Sequence, residues 1–192
     1  MSEQTMTAFS AAGASVSQAI RAGADTDLDA RTPCGDFDLR ALAQHFVGTS
    51  GAFVRAGENG ALDPEDPWGG KAQLEDAAWA EQLAGQVDRL AAAWSRPEAW
   101  DRPIDGAQMP TEAIGEMGLL ELMLHGWDVA RAAGQSLEVP ADLGAELLRC
   151  LLPTLEQGRE YEVYGPEVSV PEDAPDFDRA LGLSGRDPRW SV

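Results

Sequence analysis

The chain has 192 residues, 44% hydrophobic and 24% charged, with a formal net charge of −19. That length suits one domain with a substantial core. The acidity excludes the clustered basic surface that nucleic-acid binding needs and argues equally against an anionic membrane surface.

The predicted elements are helical throughout. Phe9, Ala12, Val16 and Ile20 recur at helical spacing and define a first amphipathic helix over Thr5–Ala22. A polar loop follows over residues 23–33. Asp38 then offers an N-cap, and Phe37 and Leu42 have the spacing of a hydrophobic staple. The second helix runs from there through His45 and Thr49 to about Ala56. After a Gly- and Pro-rich loop over residues 57–70, Leu74, Trp79, Leu83, Val87, Leu90 and Trp94 predict a third helix over Gln73–Ser95. A Pro-punctuated connection over residues 96–110 leads to a long apolar helix, Thr111–Ala133, ended by Gly134. A further helix is expected over Ala141–Glu156. The rest reads as extended or irregular, with a short turn of helix near Asp176–Leu183. Together these elements predict an all-α protein, a four-helix up-down bundle with an extra C-terminal helix and an irregular tail. It is read as one domain over 1–192, with its core at about 5–158 and the tail at 159–192.

Thirteen arginines against one lysine, Lys71, fit a GC-rich bacterial genome. No basic segment followed by an apolar one opens the chain, and no apolar run reaches about 18 residues, so a cytoplasmic protein is expected. Cys34 and Cys150 are then expected as thiols rather than a disulfide. Cys34 is read as structural, because Asp36 and Asp38 have the wrong sign to activate it.

The stretch with chemical content is Glu121-Leu122-Met123-Leu124-His125-Gly126-Trp127-Asp128. Glu121 and His125, four apart, share one helical face, with Cβ atoms roughly 5–6 Å apart. Leu119, Leu120, Leu122, Met123, Leu124 and Trp127 leave that helix little polar side, and a buried carboxylate without a partner is protonated or destabilising. The only other histidine, His45, lies on the apolar side of the second helix. Bundle interiors hold metal sites built from Glu and His on facing helices. Two His and one carboxylate are also a catalytic zinc set with an open fourth position, and the same set accepts iron or nickel. His45, Glu121 and His125 are therefore the candidate ligands. A core Glu–His hydrogen bond without metal is the alternative reading. Ala41, Thr49 and Gly118 are small neighbours expected to leave ligand space. Asp128 is a candidate acceptor for a ligand imidazole, or else a salt-bridge or surface residue. Neither a Ser/His/Asp set nor a Gly-rich phosphate loop is evident.

Two motifs carry a family resemblance. Thr32-Pro33-Cys34-Gly35-Asp36-Phe37-Asp38 through His45 resembles the second-helix motif of actinobacterial DinB/YfiT-like metalloproteins. The run from Glu121 to Ala130 resembles their other metal-binding helix, and the stretch from Tyr164 to Pro188 is similar to their tail. The resemblance implies a bundle like the N-terminal domain of mycothiol-dependent maleylpyruvate isomerase, with a divalent ion, usually zinc, on His45, Glu121 and His125. It further implies a metal-dependent transfer of a low-molecular-weight thiol of the mycothiol type to an electrophilic small molecule. The alternative is a non-catalytic metal-binding or small-molecule-binding bundle. The isomerase's second domain has no room in 192 residues, so isomerase activity itself is not expected. A monomer or a homodimer fits equally.

Overall fold

The computed structural model describes residues 3–35, 37–70 and 72–192, and the helical periodicity of the sequence becomes helices in it. In chain order they are α1 (Glu3–Ala22), α2 (Leu39–Asn59), α3 (Trp79–Trp94), the one-turn α4 (Pro97–Trp100), α5 (Thr111–Ala132), α6 (Ala141–Leu151), α7 (Leu155–Glu160) and α8 (Asp176–Leu183). Among the described residues the only β-type pairings are isolated bridges, Arg31 with Asp38 and Ala61 with Asp105. The protein is all-α.

Local chemistry fixes several of these boundaries. Asp38 caps α2 as expected, its carboxylate accepting from the Ala41 N–H at 2.7 Å. Gly134 follows α5 in the left-handed region, φ 67°, which stops the helix at little steric cost. The third helix begins later than its periodicity predicts. Glu75 is extended, with its N–H held by the Gln82 side chain, and a 3₁₀ turn over Asp76–Ala78 precedes α3 at Trp79. The helix expected over Ala141–Glu156 is interrupted. Pro153 lacks an N–H for the ladder, so a 3₁₀ turn over Leu152–Thr154 separates α6 from α7.

Four helices make the bundle. α1 and α2 each pack against both α3 and α5, which places α1 and α2 on one diagonal and α3 and α5 on the other. Phe9, Val16, Ile20, Leu42, Phe46, Leu83, Val87, Leu90, Trp94, Leu119, Leu122 and Met123 fill the space between them, all fully buried. Each such side chain stabilises the fold by about 1.5–3 kcal/mol relative to its exposed state. Two glycines allow α5 its close approach. A Cβ at Gly115 would meet the Trp100 ring at 2.5 Å, and one at Gly126 would meet Val16 at 2.6 Å. Gly118 faces Phe53 and Phe9. It therefore serves core packing and does not open the ligand space expected of it.

The core extends past the expected limit at residue 158. α8 lies on α6, and Phe177, Ala180 and Leu181 join the same apolar cluster. The segments on either side of α8 are tied back to it, the preceding one by the Val168 N–H donating to Gly182 O and the following one by the Arg186 N–H donating to Leu181 O, both 2.9 Å. The last segment thereby comes to rest against the C-terminal half of α5.

Candidate metal centre

α2 supplies His45 and α5 supplies Glu121 and His125, across the seam where these two helices pack. Their ligand atoms all lie within 4.8 Å of one another. Glu121 stands between the rings, Oε1 3.8 Å from His45 Nε2 and Oε2 3.8 Å from His125 Nε2. The imidazoles meet edge to face, with centroids 5.1 Å apart. A separation of 3.8 Å is too long for a hydrogen bond, so the Glu–His core hydrogen bond weighed from the sequence is not formed. The three donors instead surround a gap. Ligands about 2.0–2.2 Å from one ion stand roughly 3–4 Å from each other, so this donor set fits a divalent metal.

Each donor is aimed by a neighbour. Phe37 stacks on the His45 ring at 5.4 Å and 17°, and this is the role of the residue expected as a helix staple. Thr49, one turn after His45, donates to Glu121 Oε1 at 2.5 Å. Thr49 is thus a partner of the carboxylate and does not merely leave space. His125 Nδ1 lies 3.0 Å from Asp128 Oδ2. Asp128 is fully buried and also takes both arms of Arg186, Nε to Oδ1 at 2.9 Å and Nη2 to Oδ2 at 2.7 Å. Burial alone would raise the Asp128 carboxyl. The Arg186 guanidinium and the hydrogen bonds from His125 and Arg186 outweigh it and hold the group below the usual carboxylate range. Asp128 is therefore an acceptor, and the partner it meets on the His125 ring is the Nδ1 side. The Nε2 side is left facing Glu121. Both sequence readings of Asp128, imidazole partner and salt bridge, hold at once.

The centre opens on a cleft of about 970 Å³. One wall carries the three donors. The other is built from residues 33–35 and 37, the end of α7 with residues 162–166, and residues 184–186. Tyr164 sits there with its hydroxyl 3.0 Å from Thr154 Oγ1, and burial pushes its phenol pKa up, so it stays a neutral hydroxyl. Cys34 also lines this wall, with its sulfur within 4.8 Å of a ring nitrogen of His125 and a carboxylate oxygen of Asp128. Those two groups are already engaged with one another, which leaves His45, Glu121 and His125 as the set with outward-facing donors. Among the described residues, a second depression of about 550 Å³ between α1 and α6 brings together no comparable donor set.

Residues 9–130 match the family of the mycothiol maleylpyruvate isomerase N-terminal domain. The chain belongs to this family. Two uncharacterized proteins of Mycobacterium tuberculosis, from strains CDC 1551 / Oshkosh and ATCC 25618 / H37Rv, are each 25% identical to it over 162 residues, 83% of this chain and 85% of theirs. No solved structure gives a significant match. All three candidate ligands fall inside the segment matched to the mycothiol maleylpyruvate isomerase N-terminal domain. Arg186 and the tail wall of the cleft fall outside it.

Sequence reasoning named the three candidate ligands and Asp128, and it missed Arg186, Tyr164 and the direct part played by Thr49. The Thr49 position was legible, since i, i+4 spacing from His45 puts both on one face. No local pattern links Asp128 to Arg186, 58 positions away. No described helix is long and apolar enough to cross a membrane.

Proposed function

We propose that the protein is a metal-dependent S-transferase that joins a low-molecular-weight thiol of the mycothiol type to an electrophilic small molecule. The observation that carries this reading is the convergence of His45, Glu121 and His125 on one gap at the wall of the 970 Å³ cleft. The family's association with mycothiol supports the choice of thiol. Two imidazoles and one carboxylate favour zinc, with iron and nickel as competitors.

A divalent ion held there supplies a Lewis-acid site that favours the thiolate form of a bound thiol near neutral pH. The chain's own residues set the rest. Thr49 and the Asp128–Arg186 pair keep the donors aimed, so little reorganisation accompanies binding. The three donors face the cleft, where Phe37 and Val163 would offer apolar contact to the electrophile. The balance of the reaction is simple: the thiol S–H bond and the electrophile's bond to its leaving group break, a C–S bond forms, and the leaving group departs with the proton.

Elemental analysis of tag-free wild type beside His125→Ala comes first, followed by loss of free thiol against a model electrophile. Near-stoichiometric metal in the wild type, its loss in the variant and metal-dependent thiol consumption are expected. Metal-loaded protein that consumes no thiol with any of a panel of thiols and electrophiles refutes the transferase reading and leaves a metal-binding bundle.

A further inference from the structure

Behind the three donors lies a charged pair whose retention stability alone does not explain. Asp128 is fully buried and Arg186 is 9% exposed. Replacing such a buried pair by well-packed apolar residues is often neutral or stabilising. Its geometry points to another role. The Nε and Nη2 of Arg186 bind the two oxygens of Asp128 as a fork, and Nη1 reaches Ser184 Oγ at 3.2 Å. A planar fork fixes the carboxylate plane in a way a point charge does not. With that plane fixed, Oδ2 has a lone pair left for His125 Nδ1. Held by guanidinium donors on both oxygens, the carboxylate meets the ring as an acceptor at Nδ1, which turns Nε2 toward Glu121. A second tie secures the segment that delivers Arg186, because the Arg131 Nε on α5 donates to Trp190 O at 3.0 Å.

We infer that Arg186 is a positioning residue for the candidate metal centre: by pinning Asp128 it sets the tautomer and ring orientation of His125, so the C-terminal segment completes a site whose donors all lie within residues 9–130. The inference rests on the trio being a metal site. It adds that the site depends on a residue far outside the donor helices.

The test uses the full chain with Arg186→Met, Arg186→Lys and Asp128→Asn. Zinc affinity is measured by competition with a chromophoric chelator, and the His125 tautomer by nitrogen NMR of the metal-free protein under alkaline conditions. R186M is expected to weaken zinc binding by about 10- to 100-fold and to leave His125 divided between tautomers. R186K, which offers one point charge in place of the fork, is expected to fall between R186M and wild type. In D128N the amide oxygen faces Arg186 and the NH2 donates to Nδ1, which drives His125 to the Nε2–H tautomer and weakens zinc as severely. A folded R186M with wild-type affinity and an unchanged Nδ1–H tautomer overturns the inference. If R186M does not fold, R186K decides: wild-type affinity and tautomer overturn it, and loss of both supports it. If the wild type takes up no zinc, the metal reading falls separately. The tautomer then decides alone: a shift in R186K supports the positioning role, and none overturns it.

Discussion

Removing the one anionic donor separates metal binding from mere helix packing. Glu121→Gln keeps the side-chain volume, and its amide oxygen can still accept from Thr49. Without metal the variant should therefore melt close to wild type. With metal the two diverge. A ligand that binds only the native state at 100 times its Kd adds about 2.7 kcal/mol of stability. Unfolding entropy of about 2.1 cal/mol/K per residue comes to roughly 0.4 kcal/mol/K over this chain, so zinc at that excess should raise the wild-type Tm by about 7 °C. In E121Q the carboxylate that lies 3.8 Å from both histidines is gone, and most of that rise should vanish. Scanning calorimetry on chelator-treated and zinc-loaded samples reads both shifts. A full-sized rise that survives in E121Q places the ion elsewhere, and no rise in wild type removes the site.

Two glycines should respond in opposite directions to alanine. A Cβ at Gly85 meets nothing within 4 Å, so G85A should stabilise by about 0.5–1 kcal/mol, whereas G126A drives a methyl into fully buried Val16 at 2.6 Å and should destabilise by about 1–3 kcal/mol, less what helix propensity returns; urea titration reads both. Glu146 is buried against Arg149 and Thr5. Burial would raise its carboxyl, but those partners hold it below its usual range. Its folded pKa is thus the lower one, so its contribution, about 1–3 kcal/mol, is complete above the unfolded pKa and fades as pH falls through the folded value. Wild type should exceed E146Q in stability near neutrality and converge with it in acid, and an advantage independent of pH refutes the assignment. Burial pushes the Cys150 thiol up to about 12, and it is 1% exposed. Alkylation followed by mass spectrometry should therefore label Cys34, on the cleft wall, in native protein and Cys150 only after denaturation.

The parts of this fold legible in sequence are those set by near neighbours. Asp38 announced α2, Gly134 ended α5, and the i, i+4 pair Glu121–His125 was visible because helical spacing alone puts both on one face. His45 joined them by elimination, as the other histidine on an apolar face. What escaped depended on particular side-chain contacts, some between near neighbours and one across the fold. Gln82 captures the Glu75 N–H and delays α3. Pro97 opens the one-turn α4 inside an apparent loop, where the Trp100 indole donates to Trp94 O at 2.9 Å. Asp128 and Arg186 form a pair that only the completed chain brings together. The small residues one turn from the donors offered a further lesson: Thr49 on α2 and Gly118 on α5 look alike as small neighbours, yet one binds the carboxylate and the other faces Phe53. Residue size was readable, and the partner each small residue meets on the facing helix was not.

At the mouth of the cleft the chain turns sharply after α7, with Glu162 in the left-handed region at φ 58°. That turn leaves Tyr161 and Val163 projecting outward, 68% and 67% exposed. Neither side chain supports the bundle, so changes there should cost within about 0.5 kcal/mol. The donor wall has no such freedom, since Phe46, Leu122 and Met123 around it are sealed in the core. Adaptation to a different small molecule therefore has a route through this lip, where selection for what enters the cleft can proceed without reopening the problem of folding.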